Sequence, residues 1–428
     1  MSTISEWQRE LAGRCAGRRI AYVCADPGIG VFGTKGASVH AQAVIRTLRQ
    51  AGAQVDVFAV KAGGQPPPDL ADLPVHLLPI RADAHEPEQR ERQLLAADAG
   101  TAAVLDGVLL DGAGPFDLYY ERYSLFSAGG ARWAARQHIP VIVEVNAPLI
   151  DEHDQHRGLV HQIEAAASLR RLMGAADLAV CVSEPVRHWV TSRVRGTHAV
   201  VVPNGADVHR VRPRRDVTDT HAKPARAGQD RSTPATTVGF VGTLKPWHGV
   251  EVLLDAVAPL LRPRGPQPPA ARLLVVGDGP LAEQIDRRIE ALGVGAQVER
   301  TGAVDPSRIP EFLRRMDIGV APYPADAGTY FSPLKVLEYL AAGLPVVASD
   351  VGQLPTMISH ARTGLLVPPS DAAALRDAIA TLLADPARRS RMGRAARTAA
   401  ESTHSWEQTV VRTLRALPTG LPAPVGAA

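Results

Sequence analysis

The stretch Thr329–Ser349, TYFSPLKVLEYLAAGLPVVAS, contains the pattern that decides the fold of this chain. A regular helical pattern follows Pro333, Gly343 ends it, and a short apolar run rich in β-branched residues comes next. A run of this kind between helices is typical of a parallel strand that is buried on both faces. The stretch therefore predicts one helix-and-strand step of an alternating α/β sheet.

The same alternation recurs along the chain. RRIAYVCA predicts a first strand over Arg19–Ala25, and SVHAQAVIRTLRQAG predicts a helix that Gly52 closes. After Thr237 the alternation restarts with TVGFVGTL, ARLLVVGDG and IGVAPY. We therefore predict an α/β protein with two doubly wound, Rossmann-like domains that face each other across a cleft. Ligands of such sheets bind at the carboxyl ends of the strands, so the cleft is the expected site.

Four segments follow from these patterns. Residues 1–205 are predicted to form the N-terminal domain and residues 237–404 the C-terminal domain. Residues 206–236 are predicted to be a hinge and flexible linker, because the chain from Pro213 to Thr237 is polar, contains proline and lacks periodicity. Residues 405–428 are predicted to form a helix and a frayed tail, with the helix packing back toward the N-terminal domain.

The composition indicates an ordinary globular protein. Of the 428 residues, 45% are hydrophobic and 21% are charged, and the net charge is only +3. The small charge and the 4% of aromatic residues argue against a nucleic-acid partner. Cys15, Cys24 and Cys181 lack the close spacing of a zinc site or a disulfide framework. No signal-peptide core and no apolar run of about 20 residues is evident, so we expect a soluble cytoplasmic protein without membrane association.

A glycine pattern near the N-terminus imitates a dinucleotide-binding fingerprint. GIGVFG places glycines at Gly28, Gly30 and Gly33, and Asp56 follows about twenty residues later. In that fingerprint the helix opens within the glycines, whereas helical periodicity here starts only near Ala37. We therefore predict a loop that brings its backbone close to a ligand, not a nicotinamide site.

Four residues of this loop and its helix are candidates for binding that ligand. Gly33 and Gly36 allow close approach of the backbone. Lys35 and His40 flank the helical end of the loop. A buried helix histidine without a ligand is the alternative interpretation of His40.

The opening stretch has the features of an anion site. Ser332 is predicted as the N-cap and Pro333 as the first helical residue, so that Leu334 and Lys335 present free N–H groups. The positive end of the helix dipole and the Lys335 ammonium both favour an anion there. Glu338 lies one turn further on and would repel an anion, so it is better placed to accept two ribose hydroxyls. The alternative is a well-capped core helix with Glu338 facing solvent.

Several motifs in the C-terminal half resemble, in order, those of the retaining glycosyltransferases of family four, which have the GT-B fold. They are VGFVGTLKPWHGVEVLLDA, LLVVGDGPL, SPLKVLEYLAAGLPVVASDVG and TGLLVPPSDAAALRDAI. The resemblance covers about Thr237 to Leu417, and GTKGASVHAQAVIRTLRQAGAQVDVF extends it to the N-terminal half. VVPNGADV, Val201 to Val208, resembles the passage between the two domains. The resemblance implies that the N-terminal domain binds the acceptor and the C-terminal domain binds a nucleotide sugar, with UDP favoured as the nucleotide.

The chain departs from the family at one of its two characteristic carboxylates. In the family a Glu pair with seven residues between its members lies on the donor face. Glu338 matches the second member, which in the family binds the ribose. Tyr330 stands where the first would be, and in the family that Glu touches the donor sugar. The identity of the sugar therefore stays open.

A second departure concerns the cations that the family places on the diphosphate. The family usually has an Arg after Gly242 and a Lys nearby, and these positions are Thr243 and His248 here. Lys245 and Lys335 are therefore the cations expected on the phosphates. The alternative for Lys245 is a solvated loop lysine.

Backbone contacts to the base are expected from a third loop. Gly302 and Val304 match the loop that meets the base in the family.

The acceptor side is predicted from VEVNAPLIDEHDQH, which follows a strand. Asn146 matches a position where the family often has a His near the sugar. The surrounding carboxylates Glu144, Asp151, Glu152 and Asp154 favour an amino-bearing acceptor such as an aminocyclitol. The alternative is a solvated acidic loop.

The resemblance implies transfer of a sugar to an acceptor hydroxyl with retention at the anomeric carbon. No cofactor is expected, and no metal, because no D-x-D pair occurs in the chain. Closure about residues 206–236 would exclude water. The alternatives are a transferase for a polysaccharide or lipid-linked acceptor, a nucleotide-sugar epimerase, and a non-catalytic protein that binds nucleotide sugars.

Overall fold

The computed structural model of the chain describes residues 6–111, 114–214, 235–263, 271–325, 330–418 and 420–421. These residues divide into two units. The first unit takes the described residues of Met1–Asn204, Tyr330–Ser332 and Trp406–Ala428, and the second takes those of Gly205–Thr329 and Pro333–Ser405. The greater part of the predicted linker, residues 215–234, lies outside the described residues, as does most of the predicted C-terminal tail.

The first unit is built on a parallel sheet of seven strands in the order β3-β2-β1-β4-β5-β6-β7. The strands are β1 (Arg19–Cys24), β2 (Gln54–Ala59), β3 (Val75–Leu77), β4 (Leu118–Arg122), β5 (Val141–Val145), β6 (Leu178–Cys181) and β7 (Ala199–Val201). The helices are α1 (Glu6–Cys15), α2 (Gly36–Gln50), α3 (Pro87–Leu110), α4 (Gly129–Arg136), α5 (Leu149–His156), α6 (Gln162–Ala175) and α7 (Glu184–Arg193).

The central strand β1 explains why this sheet forms. All six of its residues are buried: Ile20–Cys24 form a continuous apolar run, and Arg19 is buried with its Nε 2.9 Å from Asp56 Oδ2. Ile20 lies opposite Val55 on one side and Leu118 on the other. The strand order reverses between β1 and β4, and the carboxyl ends of strands at such a point are where doubly wound sheets bind ligands.

The second unit repeats this plan with six parallel strands in the order β10-β9-β8-β11-β12-β13. The strands are β8 (Thr236–Val241), β9 (Ala271–Val276), β10 (Val298–Arg300), β11 (Ile318–Ala321), β12 (Val346–Ser349) and β13 (Gly364–Val367). The helices are α8 (Val250–Leu261), α9 (Ala282–Leu292), α10 (Ile309–Leu313), α11 (Leu334–Ala341), α12 (Leu354–Met357), α13 (Ala372–Ala384) and α14 (Pro386–Thr403).

The strand order of the second sheet reverses between β8 and β11. Val238 of β8 lies opposite Leu273 on one side and Ile318 on the other. The loops after β8 and β9 and the start of α11 therefore belong to the ligand-binding edge of this sheet.

The last helix of the chain, α15 (Trp406–Arg415), belongs to the first unit. It packs against α1 and α2. Arg415 Nε donates to Glu10 Oε1 at 2.7 Å, and the Trp406 ring meets the edge of His40 at 5.0 Å between centroids. The N-terminal half therefore completes its core with residues from the opposite end of the sequence.

One helix in the described part of the chain is long and apolar enough to cross a membrane. This helix is α3, with a mean hydropathy of 1.4 in its most apolar window and 17% of that window buried. The sequence did not predict it, because Asp98 and Asp106 interrupt the apolar run. A single helix of this kind is weak evidence for a membrane span, since core helices pass the same test.

Candidate active site

The start of α11 differs by one residue from the sequence prediction. Pro333 is the N-cap, the helix begins at Leu334, and no side chain among the described residues caps it. Ser332 is therefore not the N-cap, because its hydroxyl accepts a hydrogen bond from the Asn204 N–H at 3.2 Å. The amides of Leu334 and Lys335 open the helix and have no acceptor four residues earlier. The predicted anion site at this helix end would thus be formed by backbone amides without help from a serine.

Lys335 is a buried cation without a hydrogen-bond partner. The residue is 8% exposed, and its Nζ has no acceptor among the described residues. The ammonium lies 4.2 Å from the centroid of the Phe240 ring and 5.2 Å from that of Tyr323. Burial lowers the pKa of Lys335 to about 7, although Glu338 acts to raise it. Aromatic faces stabilise a cation only in part, so the group is poised to take an anion.

Gly242 allows the Lys335 ammonium to approach the loop after β8. Its φ is 146°, and a Cβ at this position would lie 2.8 Å from Lys335 Nζ. The neighbouring loop after β9 packs equally closely, since a Cβ on Gly277 would lie 2.1 Å from the Gly242 carbonyl oxygen. A side chain at either glycine would therefore collide with these neighbours.

His248 is neutral in this environment. Its Nδ1 donates to the Thr243 carbonyl, and its ring centroid lies 5.8 Å from that of Tyr323. Burial and, after it, the charge of Lys335 lower the pKa of His248 to about 3. With the proton on Nδ1, the other ring nitrogen is an acceptor. His248 therefore does not replace the family's cation.

Lys245 points toward an aromatic ring. Its ammonium lies 4.7 Å from the centroid of Trp247, which is 47% exposed. Of the two lysines that the sequence singled out, Lys335 is thus the one that is buried beside Gly242.

Glu338 is half-buried, less exposed than the solvent-facing alternative predicted. Burial raises the pKa of this carboxyl to about 7, while Arg210 and then Lys335 act to lower it. Arg210 is fixed by its Nη2, which donates to the Pro306 carbonyl at 2.9 Å, and by its N–H, which donates to Asp207 Oδ1 at 2.9 Å. Sequence reasoning missed Arg210, although this residue lies only two positions after the VVPNGADV motif.

The base-loop candidates lie next to the glycine loops. Gly302, with a φ of 68°, forms a bridge to Gly277, and Val304 is half-buried two residues later. Gly242, Thr243, His248, Lys335 and Glu338 are therefore brought together in the second unit, with Gly302 and Val304 beside them.

In the first unit His40 and Glu144 form a closed pair. His40 Nε2 lies 2.6 Å from Glu144 Oε1, and the two residues are 2% and 3% exposed. Burial alone would raise the pKa of Glu144, but His40, Arg122 and Asn146 outweigh it and the pKa is lowered. The structure thus agrees with the alternative interpretation of His40, a buried helix histidine that already has a partner.

The glycine loop is held tightly against α2. A Cβ on Gly33 would lie 2.6 Å from Ser38 Oγ, and Gln42 Nε2 donates to the Gly33 carbonyl at 3.1 Å. Lys35 is the N-cap of α2, and both it and Gly36 are exposed.

The carboxylates of α5 already have partners. Asp151 lies 2.6 Å from Arg193 Nη2, and Glu152 accepts a hydrogen bond from the Tyr330 hydroxyl. Asp154 accepts from Gln162 Nε2 at 2.6 Å. This helix therefore does not present an open acidic pocket for an ammonium group.

A cavity of about 420 Å³ opens in the first unit. Its polar lining residues are Asp26, Arg90, Ser124, His153 and Arg157. Neither arginine has a carboxylate partner among the described residues, and Arg157 Nη1 lies 3.3 Å from His153 Nε2. Burial and the Arg157 charge lower the pKa of His153. The sequence analysis named neither arginine, because no local pattern connects them.

Two known protein families match this chain. Residues 34–210 match the family described as Glycosyltransferase Family 4, and residues 235–385 match the family described as Glycosyl transferases group 1.

Curated relatives match along almost the whole chain. The D-inositol 3-phosphate glycosyltransferase of Segniliparus rotundus is 30% identical over 407 residues, which cover 90% of this chain and 84% of the relative. The protein of the same name from Corynebacterium efficiens is 32% identical over 389 residues, which cover 86% of each chain.

Solved structures show the same fold at lower identity. Sucrose-phosphate synthase from Thermosynechococcus elongatus matches with a TM-score of 0.64 and 21% identity, over 92% of this chain and 97% of that one. HepE from Anabaena, solved in complex with UDP, matches with a TM-score of 0.63 and 19% identity, over 93% and 99%. The two parallel sheets and these similarities confirm the predicted family and fold: the chain belongs to the family-four glycosyltransferases and has the GT-B fold.

Proposed function

We propose that this enzyme transfers a hexosyl group from a nucleotide-diphosphate sugar to a hydroxyl of a small acceptor, with retention at the anomeric carbon. The observation that carries the proposal is the buried, unpartnered Lys335 ammonium at the start of α11. A buried cation beside free helix amides and a glycine loop matches the demands of a diphosphate leaving group.

The proposed reaction forms no covalent bond between the protein and the sugar. The bond from the anomeric carbon to the phosphate oxygen breaks, and its electron pair goes to the diphosphate. Lys335 and the α11 amides stabilise that developing charge. The acceptor oxygen bonds to the same face of the sugar, and its proton goes to a phosphate oxygen of the donor. No protein nucleophile is required, and independence from metal stays a prediction from the sequence.

Glu338 is assigned to the ribose. The half-buried carboxylate lies near Arg210, which helps to keep it ionised. A carboxylate accepts from two adjacent hydroxyls, which suits the two ribose hydroxyls of a nucleotide. UDP is proposed as the nucleotide, in line with the UDP in the HepE structure.

For the acceptor, the geometry favours an anion over an amine. The sequence suggested an amino-bearing acceptor, but Glu144, Asp151 and Glu152 are each occupied by a partner. The cavity instead presents Arg90 and Arg157, whose guanidinium groups suit a phosphate. The relatives are named for D-inositol 3-phosphate, a cyclitol that carries a phosphate. We therefore propose a phosphorylated cyclitol as the acceptor in place of an aminocyclitol.

Product analysis tests both halves of this proposal. The protein is incubated with UDP-sugars and either D-inositol 3-phosphate, unphosphorylated inositol or an aminocyclitol. A glycosylated inositol phosphate is expected, and Arg90→Gln with Arg157→Gln should raise the KM of that acceptor. Interconversion of the donor without any acceptor would instead indicate an epimerase. Binding of UDP-sugar without turnover on any acceptor would indicate a non-catalytic protein.

A further inference from the structure

Three residues in the chain just before α11 are held by the first unit. The segment Tyr330–Ser332, here called the anchor segment, belongs to that unit, whereas α11 belongs to the second. The Ser183 hydroxyl donates to the Tyr330 carbonyl at 2.6 Å, and Asn204 Nδ2 donates to the Ser332 carbonyl at 2.9 Å. The entry of the chain into the helix that carries Lys335 is thus fixed by residues that lie far away in sequence.

The Tyr330 side chain adds a further tie. It is half-buried against the apolar core of the first unit, and its hydroxyl donates to Glu152 Oε1. Burial and, after it, the Glu152 carboxylate raise the pKa of the phenol, so it stays a donor at physiological pH. Tyr330 therefore does more than fill the position of the family's missing Glu.

Glu152 connects the anchor segment to the arginine-lined cavity. It lies on α5, one residue before His153, which lines the cavity and contacts Arg157. A ligand that fixes His153 and Arg157 therefore also restricts α5 and with it the partner of the Tyr330 hydroxyl. The same short helix thus faces the proposed acceptor and holds the chain that leads into the proposed donor motif.

We propose that Tyr330 is a positioning residue that couples occupancy of the acceptor cavity to donor binding through Glu152. The inference rests on the proposed function, since it assumes an acceptor in that cavity and a nucleotide at Lys335. Glu152 already accepts from the Tyr330 hydroxyl, and occupancy of the cavity fixes α5 and with it this contact. The anchor segment then holds the first turn of α11 in the geometry that binds the diphosphate. By linkage, the nucleotide strengthens acceptor binding by the same factor.

The coupling is measured as the ratio of the Kd for UDP without and with saturating D-inositol 3-phosphate, by calorimetry on the full chain. We expect the unmodified protein to bind UDP roughly fivefold or more tightly with the cyclitol phosphate present. Tyr330→Phe and Glu152→Leu should each bring that ratio close to one. Glu152→Gln retains an oxygen that accepts from the phenol, and should keep the coupling.

The double variant Tyr330→Phe with Glu152→Leu should be no worse than either single variant, because both remove one interaction. Equal coupling in all variants, or a ratio of one in the unmodified protein, would overturn the inference. So would variants that weaken UDP equally with and without the cyclitol phosphate, since that result indicates a merely structural role. Absence of any UDP binding by the unmodified protein would overturn the proposed function itself, and with it this inference. A melting temperature for each variant confirms that it is folded.

Discussion

The two units treat their buried charges in opposite ways. In the first unit Glu144 Oε1 lies 2.6 Å from His40 Nε2, although Glu144 Oε2 has no hydrogen-bond partner among the described residues. In the second unit the Lys335 ammonium lies against aromatic rings and has no acceptor among the described residues. A closed pair serves the fold, whereas an open charge is complete only when a ligand arrives. The difference teaches that burial alone does not identify a binding residue; a buried charge without a counter-charge in contact is the stronger indication.

The largest effect is expected from opening the closed pair. His40→Leu leaves Glu144 buried without its main partner, which should cost about 3–5 kcal/mol of stability. Thermal unfolding should show a clear fall in Tm. His40→Leu combined with Glu144→Leu should be less damaging than His40→Leu alone. An unchanged Tm with lost activity would mean that His40 belongs to the site and not to the fold.

Removing the Lys335 ammonium should lower activity and leave stability unchanged or higher, the reverse of the effect expected for His40→Leu. Lys335→Met should lower kcat/KM by about 10²–10³-fold, because the developing charge on the diphosphate loses its buried cation. The Tm of the protein without ligand should stay the same or rise, since Met fits between aromatic rings and carries no charge to desolvate. Steady-state kinetics and a melting curve on the same sample check both. Activity within twofold of the unmodified protein would refute the assignment of Lys335.

The open charge should also make nucleotide binding depend on pH. The pKa of Lys335 is about 7 in the free protein, so the amine is increasingly neutral above pH 7 and must take up a proton to bind the diphosphate. Ionisation of Glu338, with a pKa of about 7, supplies the carboxylate that accepts from the ribose hydroxyls and so offsets part of this effect. The Kd for UDP should therefore rise by up to about tenfold per unit between pH 7 and 9. Calorimetry should show this slope flattened in Lys335→Met and steeper in Glu338→Gln.

The smallest effect is expected from the second lysine. Lys245→Met removes a cation that rests on the exposed Trp247 ring, so UDP binding should weaken by less than about tenfold. A loss as large as that of Lys335→Met would make Lys245 the principal phosphate cation and would remove the contrast between open and closed charges.

Much of the fold was accessible from sequence because its signals are local. The run RIAYVC predicts a strand that is buried on both faces. The structure has this strand as β1, which ends at Cys24, one residue before the predicted end at Ala25. The helix of the opening stretch also forms, from Leu334 to Ala341. Both depend on periodicity within a few residues.

The errors at the site all come from distant partners. Ser332 has the local signature of an N-cap, yet its hydroxyl accepts a hydrogen bond from the N–H of Asn204, 128 residues away. Asp151 seemed available to a ligand until Arg193, 42 residues away, paired with it. Arg90 lies on α3 and Arg157 directly follows α5, yet both line one cavity. No pattern in a single sequence encodes such contacts. The sequence could therefore indicate which residue types suit a ligand, but not which side chains are free to bind one.

The division of the chain has a consequence for protein engineering. The first unit is not one segment: it draws on the N-terminal half, on Tyr330–Ser332 and on the helix that begins at Trp406. A hybrid enzyme made by one crossover near Asn204 would therefore pair the N-terminal half with a foreign tripeptide and a foreign last helix. Exchange of donor preference between relatives should instead transplant Gly205–Ser405 while restoring the three anchor residues of the recipient.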